Sequence, residues 1–146
     1  MKVGTDGILL GAWSNVSGAH NILDVGTGTG LIALMLAQRS DASITGIEIE
    51  KQAAAEATEN ANHSPWKNRV KIIHSSFQQF VSATREKFDL IVCNPPYYSN
   101  FYKSNNSNLS IAKHNDLLPF DDLIKGTLKL LTKNGKFALI LPVNQA

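Results

Sequence analysis

A chain of 146 residues, 43% of them hydrophobic, is one domain's worth and buries a real core, which excludes a disordered tail or a string of modules. Its formal net charge of +2 and pI of about 8.7 are mildly basic. They fall short of the pI above ~9 of a self-sufficient nucleic-acid binder, so a polyanionic partner is permitted without being demanded.

The predicted elements alternate. NILDV (21–25) reads as a strand and runs into glycines, and Leu31 to Arg39 follows as a buried helix. SITGIEI (43–49) is a second strand, and the Ala-rich stretch from Lys51 to Asn62 a second helix. RVKIIH (69–74) is a third strand, followed by a short helical stretch from Phe77 to Val81. KFDLIVC (87–93) is a fourth strand. Tyr98 to Leu118, rich in Asn and Ser, has no period and reads as a mobile substrate loop, with a plain disordered insertion as the alternative. Asp121 to Thr132 is a helix with Leu123, Thr127 and Leu131 on one stripe. Asn134-Gly135 ends it before KFALILP (136–142), a fifth strand.

Strands alternating with helices predict an α/β fold with a mostly parallel sheet, right-handed crossovers and helices on both faces. The strands are near-continuous apolar runs, as both-face burial requires. Ligands then bind beyond the carboxyl ends of the strands, near the switch point in strand order. The single cysteine, Cys93, makes an internal disulfide impossible and reads as a small core residue. No apolar run approaches the ~20 residues of a membrane helix, and no signal peptide is visible. The expectation is a soluble, cytoplasmic protein with no membrane contact and no obligatory protein partner.

The first turn reads DVGTGTG, with Gly26, Gly28 and Gly30 alternating. The dinucleotide fingerprint wants its last glycine where this chain has Leu31, and no P-loop sequence follows. Asp24 at the strand end repels a pyrophosphate and suits a cationic ammonium. Glu48 closes the second strand about twenty residues further on, where a carboxylate accepts from both hydroxyls of a ribose. A solvated acid at a strand end is the bland alternative, open equally to Glu50; with Asp24 in the first turn the ribose role is favoured for Glu48. A ligand with a ribose, a cationic end and no phosphate is S-adenosylmethionine. No metal is called for.

The fourth strand ends in VCNPPYYSN, 92–100. Pro95 forces Asn94 to be extended, Pro96 does the same to Pro95, and neither proline donates a hydrogen bond. This stiff corner offers two acceptors, the Asn94 side-chain oxygen and the Pro95 carbonyl, and Tyr97 to cover a flat group. Two converging acceptors grip a planar NH2 group. Adenine N6, guanine N2, cytosine N4 and a glutamine amide all qualify.

The pairing of DVGTGTG with NPPY resembles the class I amino-methyltransferases, with their Rossmann-like fold. MKVGTDGILLGAW (1–13), SPW (64–66) and IAKHNDLLPFDDL (111–123) narrow the resemblance to the bacterial tRNA(Val) adenine-N6 methyltransferases. Residues 1–146 then form one methyltransferase domain whose substrate is tRNA. The resemblance implies cofactor contacts from Thr5, Asp24, Gly26, Gly28, Glu48, Ser76, Phe77 and Asn94. Catalysis falls to Asn94, Pro95, Pro96 and Tyr97, and RNA contact to Tyr97, Lys103, Lys113 and His114. Lys67, Arg69 and Lys71, near one strand start, read as a solvated face away from the substrate.

The chain departs from the family in three places. Ser76 stands where an Asp usually holds the cofactor adenine, and Lys113 stands for an Arg, losing the bidentate fork. The family's seven-stranded sheet ends in a hairpin, and this chain stops at Ala146, after the fifth strand, so it reads as a fragment lacking the last two strands. NPPY is shared with release-factor glutamine methyltransferases, and close variants with rRNA guanine methyltransferases. An inactive cofactor-binding module is the reading from a different class.

Overall fold

The computed structural model describes residues 14–94 and 118–139. Among these described residues nine elements follow in order: β1 (Asn21–Val25), α1 (Leu31–Gln38), β2 (Ser43–Glu48), α2 (Lys51–Asn62), β3 (Val70–His74), α3 (Phe77–Ala83), β4 (Phe88–Cys93), α4 (Phe120–Leu130) and β5 (Leu131–Leu139). The five strands form one parallel sheet in the order β3-β2-β1-β4-β5. The order reverses between β1 and β4, so the crevice of the switch point opens above their carboxyl ends.

Each strand feeds two cores, because successive side chains leave opposite faces of the sheet. Ile22, Ile44, Leu90 and Val92 meet Ala33, Leu36 and Ala37 of α1 and Ala61 of α2 on one face. Leu23, Val25, Ile47, Ile91 and Cys93 meet Phe77 and Phe80 of α3 and Leu123 and Leu130 of α4 on the other. The buried stripe of α2 is all alanine, Ala53, Ala54, Ala57 and Ala61, which brings this helix close to its neighbours. A methyl group added at Gly30 would already touch Ala57 Cβ at 3.4 Å.

Element boundaries differ from the sequence expectation by a residue or two, except around the last strand. There α4 ends at Leu130, and Thr132, Asn134 and Gly135 belong to β5. Phe88 pairs with Leu131 and Leu90 with Lys136, so the Asn-Gly pair sits in a bulge of the ladder and does not stop the helix. Gly135 fits closely there: a Cβ would lie 2.9 Å from Leu131 Cδ2 and 3.0 Å from the Phe88 carbonyl. Residues 140–142 of the expected strand lie outside the described residues.

The supposed solvated face also needs correcting at Arg69. Its guanidinium donates to the carbonyls of Ala42 (2.7 Å) and Ala37 (2.9 Å), satisfying groups at and beyond the end of α1. Lys71 keeps to the surface, 3.8 Å from Glu86, where an exposed ion pair contributes little. At the amino end of the sheet, Asp89 Oδ2 accepts from the amides of His20 and Asn21, and Oδ1 accepts from the Thr132 hydroxyl, tying β1, β4 and β5 together. These bonds hold its carboxyl below the usual range.

Gly126 fixes the contact of α3 with α4. A Cβ there would run into the Phe77 ring, 2.7 Å from Cζ, and lie 2.9 Å from Val81 Cγ2. Overpacking of about 1–3 kcal/mol outweighs the ~1 kcal/mol alanine gains over glycine within a helix. Gly126→Ala is therefore expected to lower the urea midpoint, and Phe77→Leu in the same chain to relieve the clash. An unchanged midpoint in Gly126→Ala would contradict this packing.

Candidate functional site

The turn from β1 into α1 is built on three left-handed glycines: Gly26 at φ 72°, Gly28 at φ 57° and Gly30 at φ 90°. No other residue type among the described residues has positive φ, which explains the alternation of glycine with threonine. The turn is sewn to the end of β2. Thr27 N donates to the Ile47 carbonyl (2.9 Å), Gly30 N to the Thr27 carbonyl (2.8 Å), and Gly28 N to Glu48 Oε1 (2.8 Å).

Two carboxylates stand in this knot. Glu48, 4% exposed, accepts from Gly28 N through Oε1 and from Glu50 N through Oε2 (3.0 Å). It therefore holds the turn in shape, a duty its sequence position did not show. A carboxylate has about four lone-pair sites, so acceptor capacity remains on both oxygens. Asp24, 1% exposed, accepts from the Thr27 hydroxyl through Oδ2 (2.7 Å), and its Oδ1 is buried with no hydrogen-bond partner. Burial, the main cause, pushes the Asp24 carboxyl up to about 7; Thr27 opposes the rise, the Glu48 charge adds to it, and the Ala33 amide opposes it least. A buried acceptor without a donor, beside a second acid, is an environment waiting for a cation.

At the end of β3, Ser75 N donates to the Glu48 carbonyl (2.9 Å), which brings this strand end to the same rim. Ser76 caps α3, its Oγ accepting from Gln79 N at 3.1 Å. Phe77 is 4% exposed and packs its ring into the core against Gly126. Val25 pairs with Cys93, so Asn94, one step further, is level with Gly26 across the switch point and partly exposed. The structure thus brings together Asp24, Gly26, Gly28, Glu48 and Asn94, with Ser76 at the neighbouring strand end. Thr5, Pro95, Pro96, Tyr97, Lys103, Lys113 and His114 lie outside the described residues.

Sequence reasoning missed Thr27. Two signals were available: a hydroxyl residue three positions after an acid in a tight turn, and a glycine, Gly46, inside a strand. An interior strand glycine marks a close approach. Here a Cβ on Gly46 would lie 2.8 Å from Thr27 Oγ1.

Comparison with known proteins gives the following. Residues 4–145 match the profile described as methyltransferase small domain. The chain is 51% identical over 148 residues to a tRNA1(Val) (adenine(37)-N6)-methyltransferase of Bacteroides thetaiotaomicron, the match covering 100% of this chain and 62% of that protein. A protein of the same name from Trichodesmium erythraeum is 49% identical over 149 residues, again covering 100% of this chain and 62% of its own. A SAM-dependent methyltransferase from Thiobacillus denitrificans, solved with S-adenosyl-L-homocysteine, superposes with a TM-score of 0.67 at 18% identity. That match covers 97% of this chain and 52% of the other, and at such identity it is a likeness of fold. The chain spans 62% of the length of the two curated relatives.

Proposed function

The chain belongs to the methyltransferase small domain family, and from that premise we propose that its protein transfers a methyl group from S-adenosylmethionine to the N6 of an adenine in tRNA(Val), next to the anticodon. The observation that carries this reading is 51% identity over the whole chain to a protein of that name. The setting is the cytoplasm and the macromolecular partner is tRNA.

The residues of the turn fit the cofactor. Asp24 Oδ1, buried and without a donor, takes the ammonium of the amino-acid end. Glu48, fixed by two backbone amides, turns its remaining lone pairs to the ribose hydroxyls. Gly26 and Gly28 have no Cβ to obstruct the approach of the ligand. The Ser76 hydroxyl still has its proton to donate and meets the adenine, with Phe77 backing that end from the core. Thr5 joins the amino-acid end.

When bound, S-adenosylmethionine supplies an electrophilic methyl group on a sulfonium. The chain supplies the nucleophile's geometry. An exocyclic nitrogen is a poor nucleophile because its lone pair is delocalised into the ring. The Asn94 side-chain oxygen and the Pro95 carbonyl each accept a hydrogen bond from one of its two N–H groups and favour a more tetrahedral nitrogen, lone pair forward. Pro96 stiffens the corner, Tyr97 stacks on the base, and Lys103, Lys113 and His114 meet phosphates. Asn94 is not a base, and the product's extra proton leaves after transfer.

The test gives the full-length protein labelled S-adenosylmethionine with unmodified tRNA(Val) and, in parallel, a release factor. Label on N6 of the adenine next to the tRNA(Val) anticodon is the expected result. Label on a release-factor glutamine, or on neither acceptor with the cofactor still bound, would overturn the tRNA assignment.

A further inference from the structure

We infer that Thr27 is a positioning residue: its hydroxyl holds one oxygen of Asp24 so that the other stays free for the ammonium of the cofactor's amino-acid end. This inference rests on the cofactor reading above and deepens it at a residue outside the acid-and-glycine pattern.

The geometry runs in one chain of contacts. Thr27 Oγ1 donates to Asp24 Oδ2 at 2.7 Å, and Oδ1 of the same carboxyl is buried with no partner. Without the hydroxyl, the Ala33 amide would be the donor left to the carboxyl, which could then turn more freely about its last torsion. Thr27 is itself immobilised. Its N–H is bound to the Ile47 carbonyl at 2.9 Å, and the residue is 7% exposed. Its side chain occupies the space left by the missing Cβ of Gly46, which an added Cβ would enter 2.8 Å from Oγ1 and 3.0 Å from Thr27 Cβ. A β-branched residue in such a slot keeps one rotamer. That rotamer spends the hydroxyl proton on Asp24. The Asp24–Thr27 pair therefore presents one preset acceptor at the carboxyl end of β1, and Gly46 on the neighbouring strand is the glycine that makes room for it.

The test compares two ligands that differ in the amino-acid end alone. S-adenosylhomocysteine carries the ammonium; 5′-methylthioadenosine keeps the adenosine and sulfur and lacks it. Thr27→Val keeps the shape and removes the donor. It is expected to weaken S-adenosylhomocysteine by roughly tenfold, the worth of one charge-assisted hydrogen bond, and to leave methylthioadenosine within about twofold. Thr27→Ser restores the donor and recovers most of the difference. Methylthioadenosine binding doubles as the check that each variant is folded, and Thr27→Ala replaces Thr27→Val if the latter fails it. Equal losses for both ligands, or an unchanged ratio in a folded variant, overturn the role of Thr27 and leave the cofactor site standing. A parent protein that binds neither ligand overturns the cofactor reading itself, and this inference with it.

Discussion

Asn94→Ala is expected to slow methyl transfer by about 10²–10³-fold while RNA affinity hardly changes, by analogy with the loss of one oriented group facing developing charge. The residue stands one step beyond the Val25–Cys93 pair, level with the glycine turn and partly exposed, where a substrate nitrogen and a cofactor bound at the turn would meet. As an amine clamp, its side-chain oxygen would accept from an NH2 that becomes positive only as the new bond forms, so its contribution would fall on the rate and not on binding. Asn94→Asp keeps the shape and the acceptor but sets a charge beside the sulfonium, so partial activity is expected. Tyr97→Ala removes a stacking surface worth roughly 1–3 kcal/mol per base and should weaken substrate capture, whereas Tyr97→Phe keeps the ring and should be nearly silent. A purely structural turn makes a different forecast: Pro95→Ala and Pro96→Ala would lower the melting temperature, and Asn94→Ala would leave turnover alone. Single-turnover rates beside melting curves, on the full-length protein, separate the two. A folded Asn94→Ala protein that methylates at the parent rate would end the amine-clamp assignment.

The backbone plan was legible because both-face burial writes itself into composition. β1, β2 and β4 are apolar runs, α2 announces its buried stripe through Ala53, Ala54, Ala57 and Ala61, and the order of strands and helices leaves a parallel sheet as the economical arrangement. The acids at the strand ends were legible for the same reason: Asp24 and Glu48 are charged residues where apolar ones would otherwise continue. What sequence did not show was what depends on contacts between distant residues. Asn134-Gly135 looks like a helix stop, and only pairing with β4 reveals it as a bulge. Arg69 looks solvated until the carbonyls of Ala37 and Ala42 are placed beside it. Phe77 looks available to a flat ligand, yet Gly126, far along the chain, leaves a slot that draws its ring inward. Thr27 was legible only in part: Asp24 stands three residues before it, but its fit against Gly46 appears only once the turn is laid against β2.

Asp24→Asn is expected to stabilise the ligand-free protein while weakening the cofactor, two effects of opposite sign from one substitution. Burial pushes the Asp24 carboxyl up to about 7 from its ordinary 3.8. Below the ordinary value both folded and unfolded chains hold the proton, and the residue contributes no pH dependence. Between the two values the folded chain holds a proton that the unfolded chain has lost, so stability falls as pH rises, and the loss is complete above about 7. Three units at about 1.4 kcal/mol each set the scale at up to ~4 kcal/mol. Asparagine accepts from Thr27 as the carboxyl does and never ionises, so the variant should melt higher than the parent at pH 8 and with a smaller advantage at pH 5. Glu48 is the neighbouring charge that acts on this carboxyl, and it remains in both proteins. Ligand binding runs the other way. An ammonium at Oδ1 favours the ionised carboxylate, so the parent should release a proton on binding below pH 7 and gain affinity with rising pH, by up to about tenfold per unit, before levelling off above it. The variant should bind more weakly throughout and release no proton from this group. Calorimetry in buffers of different ionisation enthalpy measures the proton count, and melting curves at the two pH values measure the stability. A parent that takes up or releases no proton at pH 6, or a variant no more stable than the parent at pH 8, would show that Asp24 does not hold its proton in the empty site.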